Sequence, residues 1–369
     1  KNSNINKTGK SAFRLILLIA LSAALLLNSV LIASCSRDKT PERYTYHIIG
    51  SFDTVITVMG YADSKAEFQK FADQAEARFK ELHQYFDRYN AYENVANIFI
   101  INQMAGIQPV RVDQEIIDLL QTSIRWQQES TGAVNIAMGS VLELWHDTRT
   151  LALGDPSAAS LPDPAELEEA ALHTDINDLM VNQDDMTVFI RDPRLQLDLG
   201  AIAKGYATEL VTRELLAAGW STFVISSGGN VRTAEAPPLE DRPYWRIGIQ
   251  DPLKALQGDD EALVYTVRVN NQSVVTSGDY QRYYTYEGKR YHHIIDPGTL
   301  MPADEFSSVT VVTPDSGMAD FYSTEFFILP YEKGREYADS LDNVEVMWIF
   351  KDGKIEMTDG MKMIADKPE

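Results

Sequence analysis

The chain is 369 residues long, with 54 acidic and 33 basic side chains, a formal net charge of −21 and 44% hydrophobic residues. That acidity argues against nucleic acid and against electrostatic docking on anionic lipid, so any phosphate must be held locally by backbone amides, a few cations or a metal ion. The length is enough to bury one large core or two lobes.

Lys1, Lys7, Lys10 and Arg14 precede an apolar run from Leu15 to Ala33. Interrupted by Ser22, Asn28 and Ser29, the run is too short for a comfortable permanent span and reads as a secretory signal. Its end, Ile32-Ala33-Ser34-Cys35, looks like a bacterial lipobox. Cleavage there removes residues 1–34 and leaves Cys35 to carry a thioether-linked diacylglycerol; the other reading is an uncleaved anchor helix. Both export the domain and tether it to a bacterial membrane on the extracytoplasmic side. Cys35 is the only cysteine, which leaves the exported domain without a disulfide, a thiolate zinc site or a thiol nucleophile. Residues 35–43 read as the lipidated cysteine and a polar tether, and residues 44–369 as the folded domain.

Two short strands are predicted within residues 44–60, around Gly50 to Asp53. Ser64 followed by Glu67 is a capping box, and Phe68, Phe71, Ala75, Phe79, Leu82 and Phe86 recur at three- and four-residue spacing, which predicts an amphipathic helix. A second helix is predicted from Asp113 through Ile116, Leu119, Leu120 and Ile124 to near Gly132, and a third from near Ala201 through Tyr206, Leu210 and Leu215 to Gly219. A strand follows over residues 222–226, and strand-turn-strand signals sit at Asn182 to Thr187, Glu287-Gly288 and Asp352-Gly353. The acidic stretch 155–169, with three prolines, reads as a surface excursion holding a short helix. Hairpins mixed with long helices predict an α+β fold with mixed and antiparallel sheets rather than a doubly wound parallel sheet.

Short segments along this framework carry groups suited to phosphate or to a divalent cation. Asp198 closes the alternating stretch Leu195-Gln196-Leu197 beside Gly200, where a strand meets the third helix. The free amides and partial positive charge of a helix N-terminus suit a pyrophosphate, and Lys204 falls in the first turn; a plain capping role is the alternative for Asp198. Ser226-Ser227-Gly228-Gly229-Asn230 has glycines that permit positive φ and close approach to a ligand, as they also permit an ordinary turn. It is neither a dinucleotide fingerprint nor a P-loop, which excludes both of those readings. Thr276-Ser277-Gly278-Asp279-Tyr280 offers hydroxyls and amides beside Tyr283, Tyr284 and Tyr286, which either stack on a ring system or decorate a hairpin. Strand alternation sends His292 and His293 to opposite faces, and a histidine is the usual acceptor of a hydroxyl proton near neutral pH. Asp320 and Thr324 are four apart, so on a helix their oxygens share a face; such hard donors suit Mg²⁺, which takes one or two carboxylates and fills its shell with water and substrate phosphates.

Taken in order, and with Trp245-Arg246-Ile247-Gly248-Ile249-Gln250-Asp251-Pro252 between them, these segments resemble the FAD:protein FMN transferases, the ApbE-like flavin transferases, over residues 44–350. The resemblance implies a two-lobed α+β fold with a flavin cleft. It implies metal binding by Asp320, Thr324 and the backbone carbonyl of Ala201, with Ser323 standing where relatives often have a second aspartate. It implies flavin contacts from Tyr89 and Asn90, from Asp198 and Lys204, from Gly228, Gly229 and Asn230, and from Thr276, Ser277, Gly278 and Ile295. Phe52 replaces a methionine that packs on the flavin, Ala133-Val134-Asn135 stands where Phe-Asp is common, and Leu300 stands where glycine is common. His293 and Asp296, in His-Ile-Ile-Asp-Pro, are the implied catalytic residues.

The implied reaction moves FMN from FAD to a Ser or Thr hydroxyl of another protein and releases AMP, with Mg²⁺ on the pyrophosphate and His293 taking the hydroxyl proton. The implied acceptors are membrane redox subunits or secreted flavoproteins with a short Asp-Gly-and-hydroxyl motif. An Mg²⁺-dependent FAD pyrophosphatase and a non-catalytic flavin-binding lipoprotein are the rival readings.

Overall fold

Eight strands make the main sheet of this computed structural model, which describes residues 41–239 and 241–368, and they lie side by side in the order in which the chain forms them. They are β1 (Glu42–Ser51), β2 (Thr54–Ala62), β3 (Phe223–Ser227), β4 (Asn230–Thr233), β5 (Ser273–Gly278), β6 (Phe306–Thr313), β7 (Glu345–Phe350) and β8 (Ile355–Met357). From β2 to β8 every neighbouring pair is antiparallel, and a parallel bridge joins Met138 to Gln196. The architecture is α+β, as the mixture of hairpins and long helices predicts. The expected leader and Cys35 lie outside the described residues, and the end of the expected tether already belongs to β1. Residues from Arg43 onward form one unit.

All eight residues of β6 are buried, which requires cover on both faces because successive side chains point opposite ways. Val309 and Val311 pack with Phe326 and Trp348 on the helical side. Val312 packs with Val274, Met347, Ile249 and Val267 on the other, under a three-stranded sheet of Trp245–Gln250, Leu263–Val269 and Ala365–Asp366.

The helices around the first core and the cleft are α1 (Lys65–Phe86), α2 (Ile98–Gln103), α3 (Gln114–Glu129), α4 (Gly139–Gly154), α5 (Ala203–Ala217) and α6 (Ser316–Ile328). At the start of α1 the Ser64 hydroxyl accepts the Glu67 amide at 3.2 Å, while the Glu67 carboxylate takes the Asp63 amide at 3.1 Å, one residue before the cap. The capping box thus closes one position early. Phe68, Phe71, Phe79 and Phe86 bury the inner face of α1 against Ile56, Ile225 and α5, each contributing roughly 2–3 kcal/mol of apolar burial. A second core gathers Val275, Phe306 and Trp348 beneath α6. Helix α5 begins at Ala203, so Asp198 lies on a turn upstream of it, and the stretch Leu195-Gln196-Leu197 makes only the Met138–Gln196 bridge rather than a strand. Among the described residues no helix is long and apolar enough to cross a membrane.

Candidate active site

A cleft of about 890 Å³ opens where the two cores meet, lined by Phe86 and Ala203 from the first and by Val275 and Ile294 from the second. One wall is set by the crossing of α5 and α6. A Cβ on Gly205 would stand 2.2 Å from the Ser316 carbonyl oxygen and 2.5 Å from Asp320 Cβ, so only glycine allows the two helices this close. The Gly205 amide therefore reaches Asp320 Oδ2 at 2.8 Å, and Lys204 Nζ stands 3.6 Å from the same oxygen. Burial raises the Asp320 carboxyl above its ordinary pKa, and the Lys204 charge and Gly205 amide pull it back. From β5, Ser277 Oγ lies 2.8 Å from Ser323 Oγ and 3.4 Å from Thr324 Oγ1. Asp320, Thr324, Ser277 and Ala201 line the cleft; Ser323 is fully buried behind them, donating to the Asp320 carbonyl at 2.9 Å. One carboxylate with hydroxyls and a carbonyl is a donor set that fits a hard cation whose shell substrate oxygens complete. Among the described residues no three His, Cys, Asp or Glu side chains gather into a metal cluster.

Gly228 and Gly229 form the β3–β4 turn at φ +57° and +90°, and a Cβ on Gly228 would stand 2.4 Å from Thr54 Oγ1. The turn thus exposes backbone to the cleft, together with Asn230, Thr276 and Gly278. The two histidines face opposite ways. His292 is buried, donates from Nε2 to the Ala303 carbonyl at 2.7 Å and accepts the Ile294 amide on Nδ1 at 3.3 Å. Burial pushes its pKa down to about 4. His293 lines the cleft, and its buried Nδ1 has no hydrogen-bond partner. Burial first, then the charges of Arg282, His292, Arg149 and Lys204, hold its pKa well below the ordinary value. The ring is neutral at pH 7 and able to accept a proton. Ile295 also lines the cleft. Asp296 does not: its carboxylate accepts the Gly298 amide at 2.8 Å and the Thr299 hydroxyl at 3.1 Å, shaping the turn. In that turn Leu300 has φ +59°, a left-handed conformation that explains why glycine suits the position.

The other wall comes from the β1–β2 turn, the loop after α1, and α4. Phe52 and Asp53 both have positive φ, +54° and +50°, and the Phe52 ring rests against Phe79, His83 and Phe86. Asp87 gathers the Tyr89 amide at 2.6 Å and the Asn90 side chain at 2.9 Å, so Asn90 orders the loop and does not line the cleft. Tyr89 does, half exposed, with its ring 5.2 Å from that of His146. Asp198 is bound to Arg88 at 2.6 Å and accepts the Gly200 amide at 2.7 Å. Ala133 and Asn135 lie on a loop fastened to α6 by Glu325, which is fully buried and accepts the Thr131 amide at 2.9 Å, the Thr131 hydroxyl and the Val134 amide at 3.1 Å.

Sequence reasoning missed Arg88, His146, Arg149, Arg282 and Glu325. Helix α4 buries only Val141, Trp145 and Ala152 besides its first glycine, too sparse a pattern to announce a helix. Glu325 did carry a signal, a lone charge in the aromatic-rich stretch Phe321 to Phe327.

Comparison with known proteins agrees with this geometry. The ApbE family model matches residues 52–348. The chain is 32% identical over 278 residues to the FAD:protein FMN transferase of Klebsiella pneumoniae (strain 342), covering 75% of this chain and 82% of that protein. It is 35% identical over 277 residues to the FAD:protein FMN transferase of Treponema pallidum (strain Nichols), covering 71% and 72%. The crystal structure of the ApbE protein from Thermotoga maritima superposes with a TM-score of 0.74 at 25% identity, covering 89% of this chain and 100% of that one. The chain belongs to the ApbE family.

Proposed function

We propose that the chain is an FAD:protein FMN transferase, moving FMN from FAD to a Ser or Thr hydroxyl of a protein acceptor and releasing AMP. The observation that carries this reading is one cleft holding both the oxygen set of Asp320, Thr324 and Ser277 and a neutral His293 with an unpartnered ring nitrogen. The acceptor oxygen attacks the FMN phosphorus and forms a new P–O bond, the bond from that phosphorus to the AMP oxygen breaks, and the hydroxyl proton passes to His293. Phe52 and Tyr89 offer ring faces to the flavin, and the Gly228-Gly229 turn offers backbone to phosphate. Asp320, Thr324 and the Ala201 carbonyl are the donors that would hold Mg²⁺, which when bound polarises phosphoryl oxygens. The proposal places the domain outside the cytoplasm on a lipid anchor at Cys35, where membrane redox subunits or secreted flavoproteins carrying an Asp-Gly-and-hydroxyl motif would serve as acceptors.

The test is mass spectrometry of such an acceptor after incubation with the chain, FAD and Mg²⁺. One added FMN is the expected product, abolished in Asp320→Ala. Free FMN with an unchanged acceptor would instead mark a pyrophosphatase, and unchanged FAD a binding protein. For the anchor, Cys35→Ser should move the chain from the membrane fraction to the soluble one.

A further inference from the structure

The Lys and Arg side chains lining the cleft are Arg88, Arg149, Lys204 and Arg282, and they differ in their company. Arg88 is paired with Asp198 at 2.6 Å, and Lys204 faces Asp320 at 3.6 Å. Arg149 and Arg282 have no carboxylate within ion-pair reach among the described residues; the side-chain contact of Arg149 is with His146 Nδ1, at 3.2 Å. They come from separate elements, Arg149 from α4 one turn after Trp145 and Arg282 from the loop after β5. Arg149 is half buried, and burial together with the Arg282 charge holds its pKa below the ordinary value, with Tyr89 and Asp198 offsetting part of the effect, so the two guanidinium groups are close enough to repel each other. Carboxylates outnumber cations by 54 to 33 in this chain, yet among the described residues none is ion-paired with either guanidinium; Asp198, itself bound to Arg88, acts on Arg149 only from beyond ion-pair distance. Like charges brought together without a paired carboxylate cost free energy that a bound anion lowers.

We infer that Arg149 and Arg282 form a clamp for the phosphoryl group being transferred, separate from the Asp320 and Thr324 oxygens. This inference rests on the transferase reading. A guanidinium presents a planar fork matched to phosphoryl oxygens. As the acceptor oxygen bonds to phosphorus, AMP leaves and the proton moves to His293, charge is redistributed over the non-bridging oxygens, where two fixed cations stabilise it without reorganising. Burial is the main cause of the lowered basicity of His293, and the charges of Arg282 and Arg149 add to it; a phosphate seated between the arginines would offset the part that those charges contribute.

The experiment is equilibrium titration of the full chain with FAD, FMN and riboflavin, combined with single-turnover transfer at saturating FAD, for the wild type, Arg149→Gln, Arg282→Gln and the double variant. Each single change is expected to weaken FAD and FMN binding roughly tenfold and the double change roughly a hundredfold. Riboflavin, which lacks phosphate, should bind as before, showing that the flavin pocket is intact. The saturating transfer rate should fall as well. Unaltered FAD affinity and rate in the double variant would overturn the clamp, as would an equal loss for riboflavin. A rise confined to the acceptor KM would overturn it too, by assigning the arginines to an acceptor carboxylate. A wild type that binds FAD but never flavinylates an acceptor would sink the transferase reading instead.

Discussion

The wall of the cleft built on α6 and the wall built on α4 handle charge and strain in opposite ways. On the first, Asp320 holds an amide and an ammonium group, Ser277, Ser323 and Thr324 bond among themselves, and the helices touch through Gly205. On the second, Arg149 and Arg282 stand without carboxylates, and the Phe52-Asp53 turn is left-handed at both residues. The first wall has its side chains held by one another before any ligand arrives, as a preorganised electrostatic site must. The second becomes satisfied only with an anion in place.

The largest test of this contrast strikes the rigid wall from behind. His292 contacts Phe327 of α6, ring centroids 5.5 Å apart, and is buried neutral with its pKa pushed down to about 4. The unfolded chain takes up the proton near pH 6.5, so the native state's advantage is whole above that pH and is lost as pH falls toward 4. That loss amounts to about 3 kcal/mol. His292→Gln keeps a hydrogen-bond donor for Ala303 but cannot titrate. Urea unfolding at pH 7.5, 6, 5 and 4.5 should show a shallower acid decline in the variant than in the wild type; parallel curves would mean that His292 is not what acid breaks.

A smaller effect should come from cutting the tie between the walls. Glu325 lies beside Thr324 and holds the loop that carries Ala133 and Asn135. Glu325→Ala leaves two amides without their acceptor, and the loop should drift from the flavin, raising the KM for FAD roughly tenfold while kcat holds. An unchanged KM with a lowered kcat would place Glu325 with the chemistry rather than with the loop.

The rigid wall was also the legible one. Asp320 and Thr324 share a face because residues four apart on a helix lie one above the other, a local rule read from spacing; His292 and His293 diverge as strand alternation predicts, although the strand ends at His292 and His293 sits on the bend just beyond it. Residues 64–86 announced α1 in the same way, down to its phenylalanines. The arginines of the other wall obey no local rule. Arg88, Arg149 and Arg282 converge only after the loop following α1, helix α4 and the loop after β5 have been folded together, and single-chain periodicity is silent about such convergence. Asn90, Asp296 and Ser323 show the complementary limit: the family resemblance put them among the candidates, whereas their hydrogen bonds turn them into the loops and the helix behind.

The smallest test asks whether the strain on the arginine-bearing wall serves the site. A two-residue hairpin turn with both φ values positive prefers Gly at its second position, and Asp53 occupies it at +50°. Asp53→Gly should remove most of a left-handed penalty of about 1 kcal/mol, partly offset by the greater freedom of glycine in the unfolded chain. A rise in Tm of roughly 2 °C or less is expected, because each kcal/mol moves the midpoint of a large domain by only a few degrees. FAD affinity should stay unchanged, since the turn keeps its shape and Phe52 stays packed on Phe79, His83 and Phe86. If stability rises while FAD binding weakens, the strained turn is itself part of how the flavin is held, and the wall that waits for its ligand is then poised by backbone as well as by charge.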